Sequence, residues 1–173
     1  MSSTEYVLSE ATRARFAREV AKYPAQQKQS AVMACLSIVQ QEEGHVSRAA
    51  EDAIAQYLGM PAIAVYEVTT FYNMYNQRPV GKFKLNVCTN LPCLLRNGQG
   101  ALDHLLQKLG VEEGGTTPDG LFTVQKCECL GACADAPVML VNDRQMCSFM
   151  SHDRLDELVT VLRENAGTVE AKN

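Results

Sequence analysis

Cys127-Glu-Cys-Leu-Gly-Ala-Cys133, running on into Ala134-Asp-Ala-Pro137, packs three thiols into seven residues, with Gly131 and alanines between them. Such small side chains leave backbone N–H groups free to approach whatever the sulfurs hold. Upstream lies a second tight pair, Cys88-Thr-Asn-Leu-Pro-Cys93, closing another short loop. Two chelating loops on one chain are what a four-coordinate metal or cluster site requires. The chain reads as a cradle for that site.

The segments around the two loops place them at the ends of strands. Phe83, Leu85 and Val87 alternate with Lys82, Lys84 and Asn86, the period-two pattern of a half-buried strand that delivers Cys88. After the Cys88–Cys93 loop, Leu102, Leu105, Leu106 and Leu109 mark a helix closed by Gly110. A polar turn region follows over 111–120, and Phe122 and Val124 then mark a second strand leading into the cysteine-rich loop. Pro137 ends that loop. Val138–Val141 is a third strand, Asn142-Asp-Arg-Gln145 a turn, and a short fourth strand carries Cys147. Ser151 caps a final helix with Leu155, Leu158, Val159 and Leu162 inward, fraying after Asn165. The order β-α-β-β-β-α is a thioredoxin-like α/β arrangement.

The first seventy residues read as helices only. Residues 10–22 form an amphipathic segment bearing Phe16, Ala17 and Val20, stopped by Pro24. A second runs from about Gln26 to Glu43 with Val32, Cys35, Leu36 and Val39 on its buried face, ending at Gly44. Ser47 caps a third that buries Ala50, Ile54 and Leu58 and ends at Gly59, and Pro61 opens a short fourth with Ile63, Val65 and Val68. The bundle holds no chelating or catalytic cluster, so packing or docking is its expected role. The aromatic stretch Phe71-Tyr-Asn-Met-Tyr-Asn76 suits either a partner contact or a packed linker. The expected fold class is α+β, a helical domain over residues 1–78 followed by a thioredoxin-like α/β domain over 79–173.

Composition narrows the function. Hydrophobic residues at 46% and charged residues at 21% suit a globular protein that supports its own core. The net charge of −4, without a long basic run, argues against nucleic acid as a partner. No apolar run reaches the ~18 residues of a membrane span, and the amino-terminal Met-Ser-Ser-Thr-Glu-Tyr lacks the basic start and apolar core of a secretory leader. A cytoplasmic location follows, with any membrane association made through partners. Seven cysteines in that setting point to metal or redox chemistry rather than disulfides, and the odd count leaves at least one bystander. Cys35 and Cys147 read as small core hydrophobes.

A structural zinc and a [2Fe-2S] cluster both satisfy the four-thiolate count and both loop spacings. A dithiol catalyst wants Cys-x-x-Cys, which is absent, and a Rieske centre wants two histidine ligands, whereas His45, His104 and His152 lie away from the loops. For the third ligand Cys127 competes with Cys129, since an extended segment puts both on one side. Leu130-Gly-Ala-Cys133 favours Cys129 by letting the chain curl back. No Gly-x-Gly-x-x-Gly follows a strand, and Gly114-Gly115 lies in a turn, so nothing here cradles a dinucleotide. Backbone N–H groups around Gly131, Ala132 and Ala134 are the expected donors to the sulfurs, while Arg96 and Lys126 read as solvated surface charges.

Taken together, Glu128-Cys-Leu-Gly-Ala-Cys133 with Ala136-Pro-Val138, the upstream Cys-x₄-Cys, Phe71-Tyr-x-Met-Tyr before Pro79-Val-Gly81, and Gln40-Gln41, Gly44 and Val46-Ser47 resemble the E-type subunits of bacterial NADH:quinone oxidoreductase (respiratory complex I). The likeness spans nearly the whole chain. It implies a thioredoxin-like ferredoxin domain holding one [2Fe-2S] cluster, with ligands at Cys88, Cys93, Cys129 and Cys133. It also implies an NADH-binding flavoprotein partner that carries FMN and binds NAD, forming a heterodimer within a larger respiratory complex peripheral to the inner membrane. The implied work is NADH dehydrogenase electron transport, with single electrons exchanged with that flavin and no catalytic residue or substrate site in this chain. Two other settings share the motifs or the donor count: the equivalent subunit of an NAD-linked formate dehydrogenase or hydrogenase, and a structural zinc interaction module.

Overall fold

The computed structural model describes residues 6–170, with side chains up to Ala166. The start of the chain, expected to carry no leader, therefore lies outside the described residues except for Tyr6. The described chain divides between Pro79 and Val80 into two compact units.

The first unit is helical: α1 (Glu10–Val20), α2 (Val32–Glu43), α3 (Arg48–Leu58) and α4 (Ala62–Phe71). Ser9 and Ser47 accept from the N–H groups of Thr12 and Ala50 and so start α1 and α3. Gly44 and Gly59 close α2 and α3, and Pro61 sits just before α4 as its cap rather than inside it. Phe16, Leu36, Val39, Ile54, Leu58 and Val65 form the core. Cys35 lies among them fully buried, and burial pushes its thiol up to about 12, so it behaves as an apolar residue.

Two helical expectations are corrected. The helix expected from Gln26 is a 3₁₀ segment over Ala25–Ala31, in which Gln27 leaves helical geometry; Gln26-Gln-Lys-Gln-Ser30 has no apolar stripe to hold a full helix on the core. On α1 it is Thr12, not Ala17, that turns inward with Phe16, where its hydroxyl donates to Glu42 at 2.7 Å. The Phe71–Asn76 stretch divides. Tyr75 is buried and donates to the Met33 carbonyl at 2.9 Å, and Gln40 holds Met74 and Asn76 through both ends of its amide, whereas Phe71 is 80% exposed.

The second unit runs β1 (Phe83–Cys88), α5 (Leu91–Leu95), α6 (Gly98–Leu109), β2 (Phe122–Cys127), β3 (Met139–Val141), β4 (Gln145–Cys147) and α7 (His152–Glu170). The sheet order is β2-β1-β3-β4, with β1 parallel to β2 and the other pairs antiparallel. Parallel pairing needs a crossover, which α5 and α6 supply. Leu85, Val87, Phe122, Val124, Met139 and Val141 bury one face of the sheet against α6 and α7. The chain is α+β, a helical region followed by a thioredoxin-like sheet-and-helix unit.

The central strand departs from the half-buried expectation. Lys84 and Asn86 are 2% and 4% exposed, because β1 lies between β2 and β3 and its second face is covered as well. Lys84 pairs with Asp143 at 2.8 Å, and the Asn86 amide donates to the same carboxylate. The helix α7 continues past the expected fray at Asn165 to Glu170. Cys147 is half-buried at the margin of the core rather than inside it.

Besides Asp143, the β3–β4 turn is fastened to β1 by Asn142. Asn142, at φ 53°, accepts from Lys84 N–H at 2.7 Å and donates to the Lys82 carbonyl at 3.1 Å. Asn142→Ala loses both bonds and puts a Cβ residue without local hydrogen bonding in the left-handed region, an expected cost of about 2–3 kcal/mol. Asn142→Gly removes only the bonds and costs less. Urea unfolding of the full chain distinguishes the two, and equal losses would remove the backbone contribution.

Candidate metal centre

The parallel register pairs Cys88 with Cys127 at the carboxyl ends of β1 and β2, so both cysteine loops leave the sheet at one place. Ligand sites of open α/β sheets lie outside those strand ends. The first loop is not a free loop, as its spacing suggested. Asn90 caps α5 by accepting from Leu91 N–H at 3.0 Å, and this short helix carries Cys93 inward, 1% exposed. Asn90 also reaches across to the second loop, its amide donating to Glu128 at 2.8 Å.

In the second loop Cys129 and Cys133 are exposed and their sulfurs stand 3.8 Å apart. Two thiolates on one tetrahedral ion with bonds of about 2.3 Å lie about 3.8 Å from each other, so the pair is spaced to share one metal. Gly131, at φ 77°, turns the loop and donates its N–H to Cys129 Sγ at 3.4 Å. Ala132 and Ala134, also expected as donors, make no such bond among the described residues. Val138, expected in a strand, belongs to the site instead. Its carbonyl accepts from Cys88 N–H at 3.1 Å, and its backbone tempers the upward push on the Cys93 thiol. Cys88, Cys93, Cys127, Ala136 and Val138 form one buried cluster, with Leu130 and Ala132 packed beside it.

Electrostatics ties the four outer thiols together. The Cys93 thiol is pushed up first by burial, with Cys88 and Cys133 adding to the effect, and Cys133 is pushed up first by its hydrogen bond with Cys129, with Cys88 contributing. These groups lie close enough to feel one another's charge, and a metal that took them as thiolates would relieve that repulsion. Cys127 is different. It ends β2 as a strand residue, 8% exposed, and burial together with Cys88 and Asp143 pushes its thiol up to about 12.

The donor chemistry fits a [2Fe-2S] group: four cysteines on two loops that leave one sheet end, one pair at tetrahedral spacing, and a backbone N–H directed at one of the sulfurs. Other candidates fall away on geometry. Lys126 pairs with Glu113 at 3.4 Å and Arg96 is exposed. His104 and His152 stack on each other at 4.3 Å between α6 and α7, with His104 bonded to Asp156.

Residues 16–163 match the thioredoxin-like [2Fe-2S] ferredoxin family. The chain belongs to that family. Its cofactor is accordingly a [2Fe-2S] cluster. The second E-type NADH-quinone oxidoreductase subunit of Rhizobium meliloti is 45% identical over 123 residues, covering 71% of this chain and 72% of its own. The NADH-quinone oxidoreductase subunit 2 of Thermus thermophilus is 42% identical over 143 residues, covering 83% and 79%. A crystal structure of an NAD⁺-reducing [NiFe]-hydrogenase superposes with a TM-score of 0.65 at 19% identity. That match covers 78% of this chain but 22% of the hydrogenase chain, and shows the shared fold alone. The chain is an oxidoreductase subunit of the electron-transferring kind.

Gly98, for which the sequence carries no cysteine-like signal, is the tightest point of this ferredoxin site. A Cβ there would lie 2.8 Å from the carbonyl oxygens of both Cys88 and Cys93, backbone atoms that cannot step aside without moving the thiols. The Asn97-Gly98 pair, with Asn97 at φ 67°, is the sequence sign of the sharp entry into α6. In an ordinary helix position Gly→Ala gains about 1 kcal/mol. Gly98→Ala should instead lower cluster content, whereas a Cβ at Gly100 meets only the Asn97 side chain and Gly100→Ala should retain it. Iron and sulfide per chain measure both, and full loading of Gly98→Ala would show that the contact is not limiting.

Proposed function

We propose that this chain is the [2Fe-2S] electron-transfer subunit of an NADH:quinone oxidoreductase, working beside an NADH-binding flavoprotein subunit. In this reading Cys88, Cys93, Cys129 and Cys133 hold the cluster. Residues 79–173 act as the ferredoxin domain and residues 1–78 as a helical domain, in a cytoplasmic assembly that reaches the membrane through other subunits. The observation that carries the reading is the pairing of thiols on two loops at one sheet end, in a chain 42–45% identical to NADH-quinone oxidoreductase subunits. No helix of the described residues is long and apolar enough to cross a membrane.

When bound, the cluster supplies one-electron exchange with the FMN of the partner. The chain's own part is to hold and insulate. Ala136, Val138 and Leu130 keep water from the Cys88 and Cys93 side, and the N–H of Gly131 offsets thiolate charge at Cys129. Nothing in this arrangement handles a hydride, which is consistent with the nicotinamide chemistry residing in the partner.

Anaerobically purified full chain should be reddish, contain two irons and two sulfides, and give a rhombic electron paramagnetic resonance signal only after reduction. A colourless chain with one zinc, unchanged by cluster reconstitution, would overturn the electron-transfer reading. Cys129→Ser should abolish or strongly broaden that signal while Cys127→Ser preserves it, and the reverse pattern would transfer the third ligand to Cys127. Coexpression with a flavoprotein of the same operon should yield a complex reduced by NADH, and a cluster that NADH leaves oxidised in that complex would count against the flavin connection.

A further inference from the structure

Beneath the cysteine loops, on the second face of the sheet, lies a charged pair that the electron-carrier reading leaves unused. Lys84, Asn86 and Cys88 are alternate residues of β1 and share that face, with Thr123, Gln125 and Cys127 beside them on β2. Asp143 reaches in from the β3–β4 turn, where its carboxylate takes both the Lys84 ammonium at 2.8 Å and the Asn86 amide. Lys84 is four residues before Cys88, about 13 Å along the strand, and Asn86, which holds the Asp143 carboxylate, about 7 Å.

Stability does not account for this arrangement. The Lys84 side chain is 2% exposed, and buried ion pairs are often no better than apolar residues of the same size. Asn86 Oδ1 is buried without a hydrogen-bond partner among the described residues, a further cost. Nor is the pair needed to fasten the turn, because Asn142 already bonds β1 at Lys82 and Lys84 through its side chain and backbone. What the pair does supply is a buried cation on the strand that carries Cys88 and, beside it, an anion at the margin of the sheet, 29% exposed and so partly screened.

We propose that Lys84 and Asp143 form an electrostatic couple that sets the reduction potential of the cluster, Asp143 opposing the added electron, Lys84 favouring it, and Asn86 fixing the carboxylate between them. The proposal rests on the cluster assignment above. Reduction adds one negative charge to a centre whose potential responds to nearby charge and hydrogen bonding. Neutralising either charge therefore changes the net charge felt at the centre, with opposite consequences.

The test is an anaerobic redox titration of the cluster-loaded full chain, followed by visible absorption and electron paramagnetic resonance. In Asp143→Asn, which keeps the size and an acceptor for the Asn86 amide, the reduced-to-oxidised ratio at a fixed ambient potential should rise roughly tenfold, an upward shift of about 59 mV for a one-electron couple. Lys84→Met should lower that ratio, and the double variant should return close to the parent. Asp156→Asn, an acid half-exposed on α7, controls for loss of one negative charge from the chain. A ratio unchanged in Asp143→Asn, or moved no more than in Asp156→Asn, overturns the proposal, as does a shift of the same sign in Lys84→Met. Should Lys84→Met fail to load, the comparison of Asp143→Asn with Asp156→Asn decides alone. A parent chain with no iron signal is a different failure, which removes the cluster assignment and this proposal with it.

Discussion

The structure depends on the parallel pairing of β1 with β2. In-register alignment brings Cys88 opposite Cys127, so the loops that follow the two strands begin side by side. A parallel pair cannot be closed by a tight turn, which is why a crossover stands between the loops in sequence. That crossover is part of the site as well as a connection. Its first turn carries Cys93, and its entry at Gly98 is pressed against the carbonyls of both early cysteines. A change in how α6 approaches the sheet is therefore transmitted directly to two sulfurs.

Much of this was legible in the sequence because each signal there is local. Ser47, Gly44 and Gly59 mark helix ends through their own backbone needs, and the cysteine spacings mark the loops. The order of strands in the second unit and the helices α6 and α7 follow from periodicity and turn residues, whereas α5 reads as a loop. What escaped was set by neighbours in space. Alternation in Phe83–Val87 predicts a half-buried strand, but a central position buries Lys84 and Asn86 too, and nothing within five residues reveals which strand will be central. Val138 reads as strand because it is β-branched and apolar, yet its backbone is committed to the cysteines. Gly98 looks like an ordinary glycine until the carbonyls it faces are known. The four ligand candidates were legible as cysteines in two loops, while the choice between Cys127 and Cys129 turns on where β2 ends, a boundary that periodicity does not fix to within two residues.

The site is also graded from dry to wet. Cys88 and Cys93 are each 1% exposed, whereas Cys129 and Cys133 are open to solvent. A charge therefore acts on the centre according to where it stands, not merely how near. Lys126 and Arg96 are close in sequence to the cysteine loops, but Lys126 is solvated and tied to Glu113, and Arg96 is exposed, so water and salt screen what they offer. Lys84 lies on the covered face of the same strand as Cys88, where screening is weakest, and Asp143 reaches it from the β3–β4 turn. Proximity in sequence directs attention to the wrong cations. Burial, read from the sheet order, directs it to Lys84, and the fold that brings the two cysteine loops to one sheet end is also what sets that ammonium inside the sheet with Asp143 at its margin.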